Sequence, residues 1–153
     1  MKTIQLANNK GMVMVDEEDF ERVNQYSWCL NGKGYVNGSV GFLHRFIMNT
    51  PKGMCVDHIN HNTLDNQKHN LRLVTYSQNN MNRRKNSKKE TSLYKGVCYN
   101  KHRNKWRCCI KLNGKSKEIG SFTTEEQSAL AYNDAAKQYH GEFALLNNIL
   151  EDK

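Results

Sequence analysis

Two neighbouring residues, Asp57 and His58, carry the side chains with the clearest chemical potential in this 153-residue chain. Asn70 and Asn79 follow the imidazole by 12 and 21 positions. Carboxylate and amide oxygens are ligands that Mg²⁺ accepts, and a cation bound by them can stabilise charge developing on a phosphate. An imidazole titrates near neutral pH and can take a proton from an attacking water. The four residues therefore predict metal-assisted hydrolysis with a histidine general base.

A purely structural interpretation of the same residues stays open from the sequence. Asp57 and His58 could simply form hydrogen bonds at a strand end, with the asparagines acting as turn residues. Each residue alone favours that interpretation, whereas the set of four favours chemistry. His61 and His69, in the polar loop that follows, are rival candidates for the base or for a group that supports it.

The elements around these residues follow from hydrophobic alternation and turn signals. Strands are predicted over 55–59 and 71–75, joined by a long polar loop into a hairpin. Thr75 and Gln78 have capping-box spacing and predict that a helix begins there, which puts Asn79 in the first helical turn. From that turn its side chain can reach back towards Asp57 and His58.

Residues 3–46 contain short alternating segments separated by Asn and Gly turns. They predict strands over 3–6, 11–15, 26–30, 34–37 and 41–46, with a short acidic helix over 16–23. This part carries no chemistry of its own. We expect it to be a scaffold that packs Trp28, Tyr35 and Phe42 around the site.

The charge of the chain is positive and unevenly distributed. The net charge is +8, with a pI near 9.3. Between Arg83 and Lys117 lie 13 basic residues against the single acid Glu90, which suits a polyphosphate partner. A solvated charged linker is the alternative, but the interleaved Tyr94, Tyr99 and Trp106 favour nucleic-acid binding.

Cysteine usage and hydropathy narrow the protein class. The five cysteines are odd in number and have no Cys-x-x-Cys spacing, so they predict reduced packing residues rather than disulfides or a zinc knuckle. No segment approaches the apolar length of a membrane helix. These features predict a cytoplasmic protein with no membrane association and no small-molecule cofactor.

The C-terminal part has a different pattern, with three short strands followed by one helix. Strands are predicted over 94–99, 106–112 and 116–122, and Asn113-Gly114 marks a hairpin that makes the sheet antiparallel. A helix opens at 123–126 and runs to about His140, where Gly141 is a natural stop. Residues 86–92 have linker composition.

The N-terminal part resembles the HNH nuclease family in its Asn-ending variant, which is common in phage and intron-borne endonucleases. The resemblance covers about residues 3–92 and rests on several blocks in order. These are Leu43-His44-Arg45-Phe46-Ile47-Met48, Val56-Asp57-His58-Ile59-Asn60, Leu64-Asp65-Asn66, Asn70-Leu71-Arg72 and Gln78-Asn79.

This resemblance implies a role for each matched residue. His58 would be the general base, Asp57 and Asn79 would hold one divalent cation, Mg²⁺ with Mn²⁺ as a substitute, and Asn70 would brace the loop and orient His58. His44 would approach the phosphate or leaving group, or would pack structurally. The products would carry 5′-phosphate and 3′-hydroxyl ends. The chain departs from the pattern at one position, where Gln67 replaces a frequent Arg, so a phosphate contact or loop brace is in question.

The C-terminal part resembles the APETALA/ethylene-response-factor DNA-binding domain across about 93–148. The matching blocks are Tyr94-Lys95-Gly96-Val97, Lys105-Trp106-Arg107, Ile119-Gly120-Ser121-Phe122, Thr124-x-Glu126-x-x-Ala129-x-Ala131-Tyr132, Ala135-Ala136 and His140-Gly141-Glu142-Phe143-Ala144. The resemblance implies a sheet laid in the major groove of double-stranded DNA. The DNA contacts implied by the resemblance are Arg103, Trp106, Arg107, Lys111, Lys115 and Lys117. The basic run after the preceding helix, Arg83, Arg84 and Lys85, is expected to add further DNA contacts. For Trp106, packing between sheet and helix is an equal alternative.

The predicted fold class is therefore α+β, with a ββα-metal nuclease domain followed by a three-stranded antiparallel sheet packed on one helix. The predicted boundaries are 1–85 for the nuclease domain, 86–92 for a basic linker and 93–153 for the DNA-binding domain. The predicted function is a metal-dependent DNA endonuclease of nicking or homing type. A DNA-binding regulator that has lost catalysis is the alternative, disfavoured by the intact set of site residues. A zinc-structured chaperone would need a four-ligand site that the cysteine spacing does not provide.

Overall fold

The computed structural model describes residues 1–84 and 91–149. The chain divides into two compact units, Met1–Asn79 and Asn80–Lys153. Most of the predicted linker, residues 86–90, lies outside the described residues, as does Lys85. The three predicted domain boundaries therefore stay predictions.

The first unit is built from short strands and three helices. Strands β1 (Lys2–Gln5) and β2 (Met12–Val15) form an antiparallel pair. Helix α1 (Glu17–Asn24) follows, then a three-stranded sheet of β3 (Cys29–Leu30), β4 (Val36–Gly38) and β5 (Gly41–Phe42). Helix α2 (Leu43–Ile47) and the hairpin of β6 (Cys55–His58) and β7 (Leu71–Val74) follow, and the unit ends within helix α3 (Tyr76–Asn82).

The predicted strand over 41–46 is wrong beyond Phe42. The chain turns into α2 there, because Leu43 and Ile47 are four residues apart and both enter the core on one helical face. A strand would have sent only alternate residues inward. The helix instead carries His44 into the interior beside the predicted site.

Trp28 is the largest side chain of the core of this unit. It is 1% exposed, and its indole N–H donates to the carbonyl of Val23 at 2.9 Å. Tyr35 and Phe42 do lie around the site, as expected, but each remains 40% exposed. Phe42 belongs to the edge strand β5, and Tyr35 immediately precedes the central strand β4.

The long loop between β6 and β7 is fixed to the scaffold. The Met14 N–H donates to the carbonyl of Leu64 at 2.8 Å, and the Asn66 N–H donates to the carbonyl of Met14 at 2.9 Å, so the loop adds to the edge of β2. The Thr63 hydroxyl donates to the carbonyl of Gly34. A 3-10 turn over Lys68–Asn70 then leads into β7.

The second unit has the predicted three strands and one helix. Strands β8 (Val97–Asn100), β9 (Lys105–Leu112) and β10 (Lys115–Phe122) form an antiparallel sheet in the order β10-β9-β8. Helix α4 (Glu125–His140) packs on it, and a 3-10 turn over Gly141–Phe143 follows. The α+β prediction is confirmed.

Helix and sheet approach closely in the second unit. Gly96 has a φ of +77°, and a Cβ there would lie 2.0 Å from the Tyr132 ring, so only glycine fits. Along α4, Ala129, Tyr132 and Ala136 are buried, whereas Tyr139 is 39% exposed. Within the described residues no helix is both long and apolar enough to cross a bilayer.

Candidate active site and nucleic-acid interface

Asp57 and His58 are the last two residues of β6, at the turn end of the β6–β7 hairpin. Asp57 is paired with Arg72 and His58 with Leu71 across the antiparallel ladder. Both site residues are buried, at 8% and 5% exposure. The predicted hairpin and the adjacency of its two reactive side chains are thus present in the structure.

Asp57 forms an ion pair with Arg72. The Nε and Nη2 atoms of Arg72 donate to Asp57 Oδ2 at 2.9 and 2.8 Å. Sequence reasoning recognised Arg72 only as part of a family block and missed this contact. The signal that could have found it is the hairpin register, which puts the two residues directly opposite each other. The guanidinium holds the carboxylate in one orientation.

The His58 ring is oriented by Asn66, which is 1% exposed. His58 Nε2 lies 3.4 Å from Asn66 Oδ1, while Asn66 Nδ2 donates to the carbonyl of Thr63 at 3.0 Å. Because Oδ1 can only accept, this contact favours the tautomer with the proton on Nε2 and the lone pair on Nδ1. Sequence reasoning quoted Asn66 but gave it no role.

A second imidazole lies against the first. The His44 ring meets the His58 ring edge to face, with centroids 5.2 Å apart, and stacks on Phe42 at 5.5 Å. Burial lowers the pKa of His44 to about 4, with the charge of His58 adding to the effect. Burial also lowers the pKa of His58, and the hydrogen bond that His58 donates to Asn66 partly opposes this. Both imidazoles are therefore neutral at neutral pH.

Asn70 spans the loop. Its Oδ1 accepts from the Asn60 N–H at 2.9 Å, and its Nδ2 donates to the carbonyl of Asp65 at 2.8 Å. The Asp65 carboxylate in turn accepts from Asn60 Nδ2 at 2.9 Å. This geometry supports the expected brace. The contact that orients the His58 ring is made by Asn66.

Asn79 lies in the first turn of α3, as expected, and is half-buried. The capping box forms in both directions: the Gln78 N–H donates to Thr75 Oγ1 at 3.2 Å, and the Thr75 N–H donates to Gln78 Oε1 at 2.8 Å. Within residues 1–84 and 91–149, no hydrogen bond joins Asn79 to Asp57 or His58. The structure thus places Asn79 on the expected element.

The other loop residues have defined positions. His61 has a left-handed φ of 62°, and its N–H donates to the carbonyl of His58 at 3.0 Å. His69 is exposed. Gln67 Nε2 donates to Asp16 Oδ1 at 3.2 Å, so a loop brace exists at the position where the family often has Arg.

The second unit presents basic side chains on the sheet face opposite α4. In β9, Cys108 and Ile110 are buried against the helix, so strand alternation sends Lys105, Arg107 and Lys111 to the open face. Arg107 lies 4.0 Å from Glu118 of β10. Lys105 was not among the predicted contacts, although the alternation of β9 would have identified it.

Of the remaining predicted contacts, three are paired across the sheet with residues of the helix-facing cluster. Trp106 is paired with Phe122 of the helix-facing cluster, and its ring lies 5.0 Å from that of Tyr99. Lys117 is paired with the buried Ile110, and its Nζ donates to the Tyr139 hydroxyl at 2.8 Å. Lys115 is paired with Leu112 beside the hairpin turn. The others, Arg103, Arg83 and Arg84, are exposed.

Comparison with known proteins assigns the family. The family model described as HNH endonuclease matches residues 49–81, and the one described as AP2 domain matches 92–142. An uncharacterized HNH endonuclease of Acanthamoeba polyphaga mimivirus is 38% identical over an alignment 154 positions long, which spans 94% of this chain and 79% of that protein. This chain belongs to the HNH endonuclease family. Protein 3.8 of Escherichia phage T7 is 36% identical over 94 residues, 61% of this chain and 76% of that protein.

In this HNH endonuclease the two matches coincide with the two sets of residues described above. The HNH match contains Asp57, His58, Asn70 and Asn79, and the AP2 match contains the three-stranded sheet and α4. The protein is an endonuclease with an AP2-type DNA-binding domain, and DNA is its partner. HNH endonucleases generally depend on a divalent metal.

Proposed function

We propose that this HNH endonuclease hydrolyses a phosphodiester bond of double-stranded DNA with His58 as the general base. The observation that carries the proposal is the His58–Asn66 contact, which leaves Nδ1 of a neutral imidazole as the proton acceptor. A neutral, oriented imidazole can take the proton of an attacking water. The water oxygen then forms a bond to phosphorus as the bond between phosphorus and the 3′-oxygen breaks, and the leaving 3′-oxygen takes a proton from solvent.

The chemistry of the donor set fits one hard divalent cation, Mg²⁺ with Mn²⁺ as a substitute. Asp57 and Asn79 would hold it, because one carboxylate and one amide offer oxygen ligands and leave positions for water and phosphate. When bound, the cation would stabilise the charge that develops on the phosphate and the leaving oxygen. Arg72 holds the Asp57 carboxylate in position through Oδ2.

Two further residues have supporting roles at this site. Asn70 holds the loop closed through Asn60 and Asp65, which fixes the path of the chain on both sides of Asn66. His44, neutral beside His58, can donate an N–H to a phosphate oxygen but carries no charge of its own at neutral pH.

The DNA-binding part of the proposal assigns the open sheet face to the duplex. We assign the direct contacts to Arg103 in the β8–β9 turn and to Lys105, Arg107 and Lys111 on β9. Arg83, Arg84 and Lys85 would add phosphate contacts from the basic run after α3. Because one active site cuts one strand in each engagement, the proposed activity is nicking.

A plasmid assay tests the proposed function. Supercoiled DNA incubated with the full chain and Mg²⁺ or Mn²⁺ should become nicked, and chelation by EDTA should stop the reaction. End-labelling should find 5′-phosphates. DNA binding without any cleavage in either metal would instead favour a non-catalytic regulator.

The pH dependence of cleavage should report His58 and its partner Asn66. The neutral imidazole is the active form, so the rate should fall as the pH drops through the pKa of His58, with a midpoint below the usual 6.5. Asn66→Ala removes a hydrogen bond that raises this pKa, so the midpoint should move lower still. The plateau rate should fall by up to about 100-fold, because the ring is no longer oriented.

Asn66→Asp is a control variant in which the midpoint of the pH profile should shift in the opposite direction. A carboxylate beside Nε2 favours the imidazolium, so the midpoint should move upward. Single-turnover rates between pH 5 and 9, with metal saturating at each pH, measure both shifts. Unchanged midpoints in both variants would remove Asn66 from the proposal.

The salt dependence of binding should separate the two faces of the sheet. Removing a cation that neutralises one phosphate makes the slope of log affinity against log salt shallower by roughly 0.9. Lys105→Ala and Lys111→Ala should each show this change if they bind phosphates. Lys117→Ala is the matched control, since its ammonium is engaged by Tyr139 on the helix side, and its slope should match that of the wild type. A shallower salt slope for Lys117→Ala, with unchanged slopes for Lys105→Ala and Lys111→Ala, would place the DNA on the helix side of the sheet.

A further inference from the structure

Two exposed aromatic rings lie beside the proposed base. Tyr35 and Phe42 are each 40% exposed, and their ring centroids are 6.2 Å apart in an edge-to-face arrangement. The Tyr35 ring lies 6.4 Å from that of His58 and 5.7 Å from that of His44. Phe42 stacks on His44 at 5.5 Å. One side of each ring is therefore packed against the imidazoles, while other parts of it face solvent.

The backbone that carries these rings is held firmly. The Tyr35 N–H donates to Asn31 Oδ1 at 3.0 Å, and its carbonyl accepts from the Asn31 N–H at 2.9 Å. Gly38, in the strand between them, lies so close to the scaffold that a Cβ would be 2.6 Å from the carbonyl of Ser27 and 3.1 Å from the Trp28 ring. The rings are thus pre-organised and lose little entropy when a ligand stacks on them.

We propose that Tyr35 and Phe42 form a stacking ledge for the nucleobase next to the scissile phosphate. Exposed aromatic rings beside a nucleic-acid site stack on bases with little sequence preference. The ledge is continuous with the His58 site through His44, and the exposed Lys33, two residues before Tyr35, adds charge complementary to the DNA backbone. This inference rests on the proposed function, since it takes His58 to mark the scissile bond.

The ledge has a consequence for substrate choice. A base within an intact duplex is already stacked, so it reaches the rings only if its step is opened. Opening is easiest at a mismatch or in single-stranded DNA. Substrates with an unpaired base beside the cut should therefore be cleaved faster than fully paired ones.

A double-mutant cycle between ring and base tests the proposal with the full chain. The nick site is first mapped on plasmid DNA, and each nucleotide flanking it is then replaced by an abasic residue in a synthetic duplex. Removal of one flanking base should slow wild-type cleavage by about 10- to 100-fold. Tyr35→Leu and Phe42→Leu should slow cleavage of the intact duplex similarly. On the abasic duplex the two substitutions should cause little further decrease in the cleavage rate, because the base that stacks on the ring is already missing.

Two variants serve as controls. Tyr35→Phe keeps the aromatic ring, so removal of the flanking base should slow its cleavage as much as it slows that of the wild type. Val40→Ala removes an apolar side chain of similar exposure, 43%, from the same hairpin. It should leave the effect of removing the flanking base on the cleavage rate unchanged. Additive effects of the ring and base deletions would overturn the ledge.

A binding readout keeps this result separate from the chemistry. The same cycle is measured as affinity, by anisotropy, for a short single-stranded oligonucleotide with and without the abasic residue, in the His58→Ala background. Coupling in affinity supports the ledge even if His58 is not the base. Wild-type cleavage by His58→Ala would count against the proposed function alone, whereas absent coupling in affinity would count against the ledge alone.

Discussion

His58→Ala should lower the single-turnover rate of DNA cleavage on the order of 10²- to 10⁴-fold, because general-base catalysis contributes a factor of that size. DNA affinity should stay nearly unchanged, since the imidazole is only 5% exposed and neutral and cannot provide a phosphate contact of the ionic kind. Cleavage of labelled duplex under enzyme excess, together with anisotropy titrations, measures the two quantities.

Two further variants make this result interpretable. Truncation of a buried side chain, as in His58→Ala, leaves a cavity that can lower stability. His58→Gln keeps most of the side-chain volume, so it should show the same decrease in cleavage rate with near-wild-type thermal stability. His69→Ala is the matched histidine control, because His69 is exposed in the same loop, and it should cleave normally. Wild-type cleavage by both His58 variants would move the base to His61 or His69.

Asp57→Ala should raise the Mg²⁺ concentration needed for half-maximal cleavage by at least about 100-fold, since the proposed site loses its only charged ligand. It should also destabilise the fold by about 3 kcal/mol, because the mostly buried Arg72 guanidinium loses its carboxylate partner. Metal titrations of the cleavage rate and urea unfolding measure the two effects separately.

Arg72 and Asn79 variants separate metal binding from the ion pair. Arg72→Leu removes the other partner of the ion pair but keeps the carboxylate, so it should retain metal dependence closer to wild type. Asn79→Asp keeps an oxygen donor and should remain active, whereas Asn79→Ala should need more metal. If Asp57→Ala and Asn79→Ala both kept the wild-type metal dependence, the cation would be held elsewhere.

Several features of this protein were predictable because they depend on neighbours in the sequence. The capping box at Thr75 and Gln78 forms as its spacing indicates, and Asn79 follows in the first turn. The sheet and helix of the second unit match the alternation and turn signals of 94–140. Strand period, helix period and caps are short-range properties, so local residues decide them.

Other features were decided by contacts between distant segments. The 41–46 segment became a helix beyond Phe42 because the core accepts Leu43 and Ile47 together, a choice that its β-like composition did not reveal. The partial exposure of the Tyr35 and Phe42 rings is likewise set by how the segments around them pack. Burial is a property of the packed chain, so alternation alone could not assign it.

The family blocks in the sequence determined the enzyme class and identified Asp57, His58, Asn70 and Asn79 as candidates. Only the tertiary structure placed Arg72 on Asp57 and Asn66 on His58, and only it turned Lys117 towards Tyr139. The Arg72–Asp57 and Lys117–Tyr139 contacts depend on strand register. The Asn66–His58 contact depends on a loop that is held to β2 through Met14. Register and loop path are set by long-range hydrogen bonds and packing, because a one-residue slip would turn every side chain to the opposite face.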